Sequence, residues 1–317
     1  MAKKAFVFDG TNWIDIAQST ADLTGYPALA TNQFGFRNKI INGDFRINQR
    51  AYTSASNLAS GSYGFDRWKS SFTNTTLTFT SAPQGQSVTI NSGGSIEQVI
   101  ERENMPAGTY VLSWTGTATG RVYNTGATPP SYAASPVLVT LDGTANVEVE
   151  FTASGGTRTL QNVQLEAGNI PSAFERRPIG TELALCQRYY QTSFNPGQVP
   201  AHNASGDGVV YHPGVSGGIS GNLYTNLKFS PMRTFPVVSI FNGNNASATP
   251  ANGILAGGLN TSASGIRCYV SGGAGLDSSD IGIDYIRLES ASLYAQGSFA
   301  GAVAGILIFG YVLNAEL

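Results

Sequence analysis

The chain has 317 residues, of which 38 are glycine and 12% are charged. Charged residues make up about 25% of an average protein, and the formal net charge of −2 at pH 7 gives no basic field of the kind that nucleic-acid binders carry. The composition therefore argues against a nucleic-acid partner, and it favours a β-rich protein with many tight turns over a helical enzyme.

The first predicted element is a β-hairpin at residues 5–16, AFVFDGTNWIDI. Phe6 and Phe8 lie on one face of its first strand, DGTN makes the turn, and Trp13 opens the returning strand. An isolated hairpin is marginally stable in water, so this one needs a partner from the same chain or from another. The remainder of the N-terminal region, residues 1–36, has little periodicity and is interpreted as an extended linker.

The segment RNKIINGDFRINQRAY, residues 37–52, predicts a strand, an Asn-Gly-Asp kink and a second short strand. Ile40 precedes the kink, and Phe45 and Ile47 follow it at the alternating spacing of a strand face. We interpret this segment as the entrance to a β-domain.

A β-sandwich or jelly roll is predicted for residues 37–178, because short alternating runs recur there between turn residues. The cleanest run is NVEVEFTA, residues 146–153. Its valines and phenylalanine are expected inside, with Glu148 and Glu150 on the outer face.

One short helix is predicted in the joining segment, residues 179–192, over the stretch IGTELALCQRYYQ. Thr181 is expected to cap it, with Glu182 placed favourably against the helix dipole. Apolar residues recur at spacings of 4, 3 and 4, typical of a coiled-coil seam, at Ile179, Leu183, Cys186 and Tyr190. The helix either packs on its own sandwich or lies on an axis where three chains meet, and both interpretations remain open.

The C-terminal region, residues 193–317, is predicted to be a second β-domain. Its last apolar run, residues 298–313, contains three glycines and is short for a bilayer span, so we expect buried strands and no membrane insertion. Loops rich in Asn, Ser and Gly make residues 200–317 the expected receptor-binding tip. The N-terminus lacks a secretory apolar stretch, so we expect synthesis in the cytoplasm without a signal peptide.

No enzyme signature stands out. The sequence has no P-loop, and no GxSxG or GxGxxG stands between a predicted strand and a predicted helix, where such motifs act. The pair His202 and His212 is a nonspecific metal signal. Two groups of acidic residues are interpreted as turn or edge residues, with a catalytic pair as the less favoured alternative: Glu97, Glu101 and Glu103, and Asp277, Asp280, Asp284 and Glu289. The two cysteines, Cys186 and Cys268, are interpreted as structural thiols.

Aromatic residues offer candidate glycan contacts, since sugar rings stack on aromatic faces. Trp68 and Trp114 fall on predicted core strands. Tyr123 and Tyr132 lie in the loop-rich stretch RVYNTGATPPSY and are expected to be more exposed. We therefore take these two tyrosines as the glycan-binding candidates.

Three segments, in this order, resemble a recurrent module of bacteriophage tail-fibre and other virion-appendage proteins, similar in style to proteins of cyanophages and other marine phages. The similarity covers about residues 38–191, and the segments are KIINGDFRINQR, YGFDRW and VQLEAGNIPSAFERRPIGTELALCQRYYQ. In that family the first segment opens a jelly roll similar to carbohydrate-binding modules, and the last closes it and leads into the helix.

The resemblance implies a homotrimer in the virion that requires no cofactor. Phe6, Phe8 and Trp13 would dock the N-terminus on other proteins of the tail or neck. It also implies a structural calcium shared by Asp44 and Glu166, with Asn42 nearby, although calcium takes six to eight oxygens and would need further ligands. The alternative for Asp44 is an Asx-type turn at the kink.

The sequence therefore predicts a short, non-enzymatic tail fibre that attaches to host-surface glycan. The alternative is a neck, head or decoration fibre with a purely structural role. A glycan-degrading tailspike is less favoured, because such spikes normally need a long β-helix that this chain has no room for.

Overall fold

The structure is a computed structural model that describes residues 6–8, 13–15, 36–80, 82, 85–201, 208, 210–216, 222–242, 251–253, 267–270, 276–277, 280–296 and 304–317. Within these residues the chain is built from antiparallel β-sheets and one α-helix. The predicted all-β class, with a jelly-roll sandwich and a C-terminal β-domain joined by a short helix, is confirmed.

The N-terminal hairpin is present as predicted. Strand β1 (Phe6–Phe8) pairs antiparallel with β2 (Trp13–Asp15), and Phe8 lies opposite Trp13. The connecting residues and the side chains of this hairpin lie outside the described part of the chain.

The sandwich contains ten strands in two sheets. They are β3 (Asn57–Leu58), β4 (Lys69–Ser70), β5 (Thr75–Thr78), β6 (Val88–Ile90), β7 (Ser95–Ile100), β8 (Gly108–Gly116), β9 (Thr119–Asn124), β10 (Val137–Leu141), β11 (Val147–Thr152) and β12 (Arg158–Ala167). One sheet has the order β10-β8-β12-β6-β5-β3, and the other has the order β4-β7-β11-β9. The apolar residues of β11 point into the core between the sheets, as its alternation predicted.

Aromatic rings fill the centre of the core. Phe45 lies with its ring centroid 5.2 Å from that of Trp68 and 5.6 Å from that of Phe65, and all three side chains are fully buried. Burial of each such side chain stabilises the fold by about 1.5–3 kcal/mol. The expected burial of Trp68 is confirmed.

The entrance segment differs from its prediction, because residues 37–52 contain no strand. Asn42, Phe45 and Ala51 have φ angles of 58°, 55° and 53°, in the left-handed region that interrupts a strand ladder. The alternation of apolar residues there places side chains in the core without forming a pleated strand.

Asn42 is the polar centre of this segment. Its fully buried side chain donates to the carbonyls of Ile47 (2.8 Å) and Asp66 (3.0 Å) and accepts from the amide of Ile47 (2.9 Å). Its own amide donates to the Glu182 carboxylate, and its carbonyl accepts from the Trp68 indole at 2.9 Å. One residue thus ties the entrance, the following turn and the helix together.

The helix α1 spans Ile179–Gln187 and is shorter than predicted. Pro178 occupies the position before it, so Thr181 lies inside the helix and is not the cap. Tyr190 belongs to the next strand, β13 (Tyr190–Thr192), because the chain turns after Arg188 to join the second domain.

The second domain is organised around its last strand. Its strands are β14 (Val210–Ser216), β15 (Asn222–Lys228), β16 (Val237–Asn242), β17 (Ala251–Gly253), β18 (Arg267–Val270), β19 (Leu276–Asp277), β20 (Asp280–Ile286), β21 (Ser290–Gln296) and β22 (Ala304–Asn314). The first part of β22 pairs with β14 and β18, and its later part pairs with β16 and β13. The described part of the last apolar run, residues 304–313, therefore lies in a central strand. No helix in the described residues is long and apolar enough to cross a membrane.

The end of β22 leads back onto the sandwich. Glu316 forms an ion pair with Arg50 at 3.0 Å and another with Arg67, whose guanidinium also lies 3.6 Å from the ring centroid of Tyr189. The Tyr63 hydroxyl donates to the carbonyl of Leu317 at 2.7 Å. These contacts join the two domains through buried polar groups.

We expect Asn42→Ala to lower the free energy of unfolding by about 3 kcal/mol, because it leaves buried backbone groups of Ile47 and Asp66 without partners. Chemical denaturation of the full-length chain measures this. Asn57→Ala is the matched control, since Asn57 is exposed and makes one long contact of 3.4 Å with Asn74; it should change stability by less than about 0.5 kcal/mol. Equal effects of the two substitutions would contradict the role of Asn42.

Candidate functional site

The candidate site lies on the outer face of the four-stranded sheet. The strand registers align Lys69, Glu97, Glu150 and Arg121 in one row across β4, β7, β11 and β9. Two carboxylates thus lie side by side at the centre of the row, with a cation at each end. The outer pairs, Lys69 with Glu97 and Arg121 with Glu150, join opposite charges across strands and stabilise the sheet, whereas the two central carboxylates repel each other.

Glu150 is the anchor of this face, with only 3% of its surface exposed. One carboxylate oxygen accepts from the hydroxyls of Ser71 (2.8 Å) and Ser95 (2.9 Å), and the other accepts from the Arg121 Nε at 2.7 Å. Burial alone would raise the pKa of this carboxyl, but hydrogen bonds from Tyr132, Ser71, Arg121 and Ser95 lower it below its ordinary value. Glu150 is therefore an ionised, fully engaged group that positions its neighbours.

Arg121 brings the two predicted tyrosines together. Its guanidinium carbon lies 4.1 Å from the ring centroid of Tyr132 and 5.3 Å from that of Tyr123. Cation–π contacts of this kind contribute about 0.5–1 kcal/mol where they are exposed and more where water is excluded. Tyr123 and Tyr132, separated by a loop in the sequence, form a single aromatic clamp.

Both tyrosines of the clamp stay neutral with fixed hydroxyls. Burial and then the hydrogen bond to Glu150 raise the pKa of Tyr132 well above its usual value. Burial and then the hydrogen bond to Glu148 raise the pKa of Tyr123 in the same way. Contrary to the expectation of exposure, both rings are half-buried, because the loop that carries Tyr132 folds back on the sheet.

The fold-back is held by main-chain bonds. The amide of Gly120 donates to the carbonyl of Ala133 at 2.8 Å, and the amide of Ala133 donates back at 2.9 Å. Arg121 also donates to the carbonyl of Pro130 at 3.3 Å. Since its loop is anchored, Tyr132 forms a fixed wall of the clamp.

Glu97 gives the middle of the row its negative character. Burial first, and then the charges of Glu148 and Glu150, raise the pKa of its carboxyl, while Lys69 at 3.2 Å opposes that rise. The face as a whole carries two cations, Lys69 and Arg121, against three carboxylates. A neutral ligand would suit it better than an anionic one.

The clamp depends on residues that the sequence interpretation did not select as site residues, namely Arg121, Glu150, Ser71 and Ser95. A usable signal was present for two of them. Arg121 and Tyr123 stand two positions apart on one strand face, and NVEVEFTA already placed Glu150 on an outer face. No local pattern indicated that the loop would return Tyr132 to the same place.

The proposed calcium ligands have separate partners. Asp44 lies 2.6 Å from the Arg46 Nε, a close ion pair without good hydrogen-bond alignment, whereas Glu166 accepts from Gln164 and from the amide and hydroxyl of Ser172. The oxygen of Asn42 is engaged with Ile47. No group of three His, Cys, Asp or Glu residues that could hold a metal ion occurs among the described residues. A cation bound by Asp44 would have to displace Arg46, and the calcium site stays a prediction.

The predicted seam is not one surface stripe. Cys186 is fully buried, and Tyr190 is buried beneath Arg50, whose guanidinium carbon lies 3.8 Å from the tyrosine ring centroid. Ile179 is 52% exposed and Leu183 is half-buried. Cys186 and Tyr190 pack within the chain, because the helix ends at Gln187 and the chain turns inward; only Ile179 and Leu183 remain as contacts for another copy.

Several other candidates lie outside the described residues. His202 is outside them entirely, and the side chains of Phe6, Phe8, Trp13, His212, Cys268, Asp277, Asp280 and Asp284 are too. Glu103 is exposed and pairs with its neighbour Arg102. Glu101 pairs with Arg188 at 3.0 Å.

No protein-family model matches this chain, and no curated protein is significantly similar to it. Similar solved structures include the enzymatically active domain of tailspike protein 4 of bacteriophage CBA120, which is 13% identical over 41% of this chain and 21% of that chain, with a TM-score of 0.26. A triple jelly-roll protein of an archaeal-virus turret is 16% identical over 74% of this chain and 60% of that chain, with a TM-score of 0.18. Tomato vicilin is 9% identical, with a TM-score of 0.12.

The chain thus spans 21% of the tailspike domain and 60% of the turret protein. The first two of these structures are viral proteins. TM-scores this low assign neither a family nor a function.

The depressed pKa of Glu150 predicts a pH-dependent stability difference. Its folded pKa lies below the reference value of 4.5, so its contribution is complete above about pH 4.5 and is lost as pH falls through the folded pKa. Glu150→Gln should therefore lower the free energy of unfolding by about 2 kcal/mol at neutral pH, and the difference from wild type should narrow below about pH 4.5.

Denaturation at a series of pH values measures this difference. Glu148→Gln is the matched control, because it makes the same charge change on the same strand face. If the free energy of unfolding of Glu150→Gln differs from that of the wild type by the same amount at neutral and acidic pH, the assigned role of the carboxylate is contradicted.

Proposed function

We propose that the chain is a virion structural protein, a short trimeric tail fibre that attaches to host-surface glycan and catalyses no reaction. The observation that carries this proposal is the aromatic clamp of Tyr123 and Tyr132 around Arg121 on the outer face of the jelly roll. The ordered motifs INGDF, DRW and QLEAG, which resemble those of fibre proteins, support the virion assignment.

The clamp suits a sugar for physical reasons. Its rings are fixed before binding, so ordering them during binding costs little free energy. Its polar groups include neutral tyrosine hydroxyls and the carboxylates of Glu97 and Glu148, which can accept hydrogen bonds from sugar hydroxyls. The excess of carboxylates over cations on this face favours a neutral glycan.

The same geometry argues for binding over hydrolysis. A hydrolytic pair needs one carboxylic acid and one free carboxylate on either side of the scissile bond. Glu150 is buried and engaged by Ser71, Ser95 and Arg121, and Glu97 is paired with Lys69. We therefore assign these carboxylates to the architecture of the face.

A trimer would turn weak sites into a useful attachment. Linked sites can raise overall affinity by about 10²–10⁴ when they engage together. In this proposal Ile179 and Leu183 contact the neighbouring copies, and the hairpin at β1 and β2 docks on other virion proteins. The protein would then act at the surface of the particle.

A neck, head or decoration fibre without a receptor is the second candidate. It is favoured by the internal pairing of Glu150, Arg121 and Lys69, which also fits a face that only stabilises its own sheet. Antibody labelling of intact particles separates the two, since label at the neck or head supports the structural role.

We expect Tyr132→Ala to abolish binding of the full-length chain to the host cell surface, measured with labelled protein, because it removes one wall of the clamp. The matched comparison is Tyr211→Ala, which removes a tyrosine that is 68% exposed on the second domain. Retained binding by Tyr132→Ala together with loss by Tyr211→Ala would move the receptor site to the C-terminal domain.

The oligomeric state is tested by light scattering after size exclusion. We expect three times the chain mass of 33.2 kDa for the wild type and a single chain for Leu183→Asp, because a charge placed in a buried contact is strongly unfavourable. A monomeric mass for the wild type would contradict the proposal of a trimeric fibre. A trimeric mass for Leu183→Asp would show that the copies contact each other away from the helix.

A further inference from the structure

A second surface, separate from the tyrosine clamp, has the form of a ligand site. It is a cleft of about 770 Å³ between the sandwich, the end of α1 and the segment after β22. Small-molecule sites commonly have volumes of about 300–1,000 Å³. Its lining includes Glu101, Arg102, Asn104, Asn146, Arg188 and Arg233.

The side chains that line the cleft carry one more positive than negative formal charge, in a chain that is negative overall. Three arginines and two glutamates line it, while the formal net charge of the chain is −2. The two most exposed of the arginines are Arg102 and Arg188, with side chains 60% and 45% exposed. Each of these guanidinium groups already pairs with a glutamate at 3.0 Å, Arg102 with Glu103 and Arg188 with Glu101. An anionic group entering the cleft would therefore bind to their remaining N–H donors.

Arg188 and Arg233 are held in place before any ligand arrives. The buried carboxylate of Glu101 lies 3.0 Å from Arg188 and 3.8 Å from Arg233. Arg233 also donates to the carbonyls of Ala315 (3.0 Å) and Glu316 (3.2 Å). The fixed side chains reduce the entropy lost on binding.

The other residues that line the cleft indicate which further chemical groups the anionic ligand carries. Thr144, Asn104 and Asn146 supply a hydroxyl and two amides, and Ile41 and Leu185 supply a small apolar patch. Guanidinium forks match planar carboxylates with paired hydrogen bonds, and amides match hydroxyls. This combination fits a sugar ring that bears a carboxylate.

We propose that this cleft binds an acidic sugar unit, with its carboxylate on Arg188 and Arg102 and its hydroxyls on the neighbouring amides. The inference is independent of the tyrosine clamp, because the two sites share no residue. It adds a charge-selective contact to a chain whose other candidate site favours neutral sugars.

The test is calorimetric titration of the full-length chain with D-glucuronate, D-glucose and inorganic phosphate. We expect D-glucuronate to bind, and D-glucose and phosphate to bind at least tenfold more weakly, a difference of about 1.4 kcal/mol. Binding of glucose equal to that of glucuronate would overturn the carboxylate assignment. Phosphate binding as tight as glucuronate binding would overturn the sugar assignment, and no heat from glucuronate would overturn the site.

The variants locate the binding. Arg188→Gln should weaken the binding of glucuronate at least tenfold. Arg102→Gln should weaken that binding measurably, and the exposed Arg102 side chain can be changed without disturbing the fold. Arg158→Gln is the matched control, because Arg158 contacts the carbonyl of Ser154 and does not line the cleft; it should bind like the wild type. Unchanged binding in Arg102→Gln and Arg188→Gln would overturn the proposal.

Tyr132→Ala separates this inference from the proposed glycan attachment. It should keep glucuronate binding in the cleft even where it loses attachment to cells. Loss of glucuronate binding in Tyr132→Ala would place the acidic sugar at the clamp and would overturn the cleft assignment.

Discussion

The structure depends first on the hydrogen bonds that one buried amide side chain, that of Asn42, must make. Burying a polar side chain without partners costs several kcal/mol, and Asn42 meets this constraint by bonding Ile47 and Asp66 while its main chain bonds Trp68 and Glu182. Because these partners come from three parts of the chain, they can all be hydrogen-bonded only when those parts meet in one arrangement. The left-handed φ of 58° at Asn42 suits asparagine better than most residues, which explains why the motif has an amide at this position.

The position of the helix follows from that arrangement. Glu182 lies in the first turn of α1, where it meets the amide of Asn42 and the guanidinium of Arg177 at 3.2 Å. The last turn of the helix then brings Arg188 and Tyr189 to the sandwich. Tyr189 covers Arg67, and Arg67 holds Glu316, so the second domain is oriented by a chain of contacts that begins at Asn42. The cleft of about 770 Å³ lies where these parts meet.

Much of the fold could be predicted because strand signals are local. Alternation in β11 and the apolar run of β22 each identified a strand without knowledge of its neighbours. The failures came from structural context that the residue pattern does not contain. Apolar and polar residues alternate in segment 37–52 as they do in a strand. This alternation places apolar side chains in the core, but the segment does not form the hydrogen bonds of a strand. Thr181 has the chemistry of a cap, but the position before the helix belongs to Pro178.

The site was only partly predictable for the same reason. Tyr123 and Tyr132 were chosen one by one from their loop-rich context, and the sequence contains nothing to indicate that both would contact Arg121. Cys186 and Tyr190 matched a seam by spacing, yet spacing does not say which side of a helix faces its own domain. Contacts that need two distant segments to meet are fixed by tertiary packing, which single-sequence patterns do not describe.

The two candidate surfaces differ in how their charges are used, and this difference has physical consequences. At the clamp, Glu150 is buried and fully bonded, so its charge interacts mainly within the protein and salt should screen it little. At the cleft, the guanidinium of Arg188 is about half exposed, so its attraction to an anion should weaken as ionic strength rises. Neutral-sugar contacts at the clamp would therefore persist in a salty medium where acidic-sugar contacts at the cleft become weaker, and the balance between the two surfaces would depend on the ionic strength around the particle.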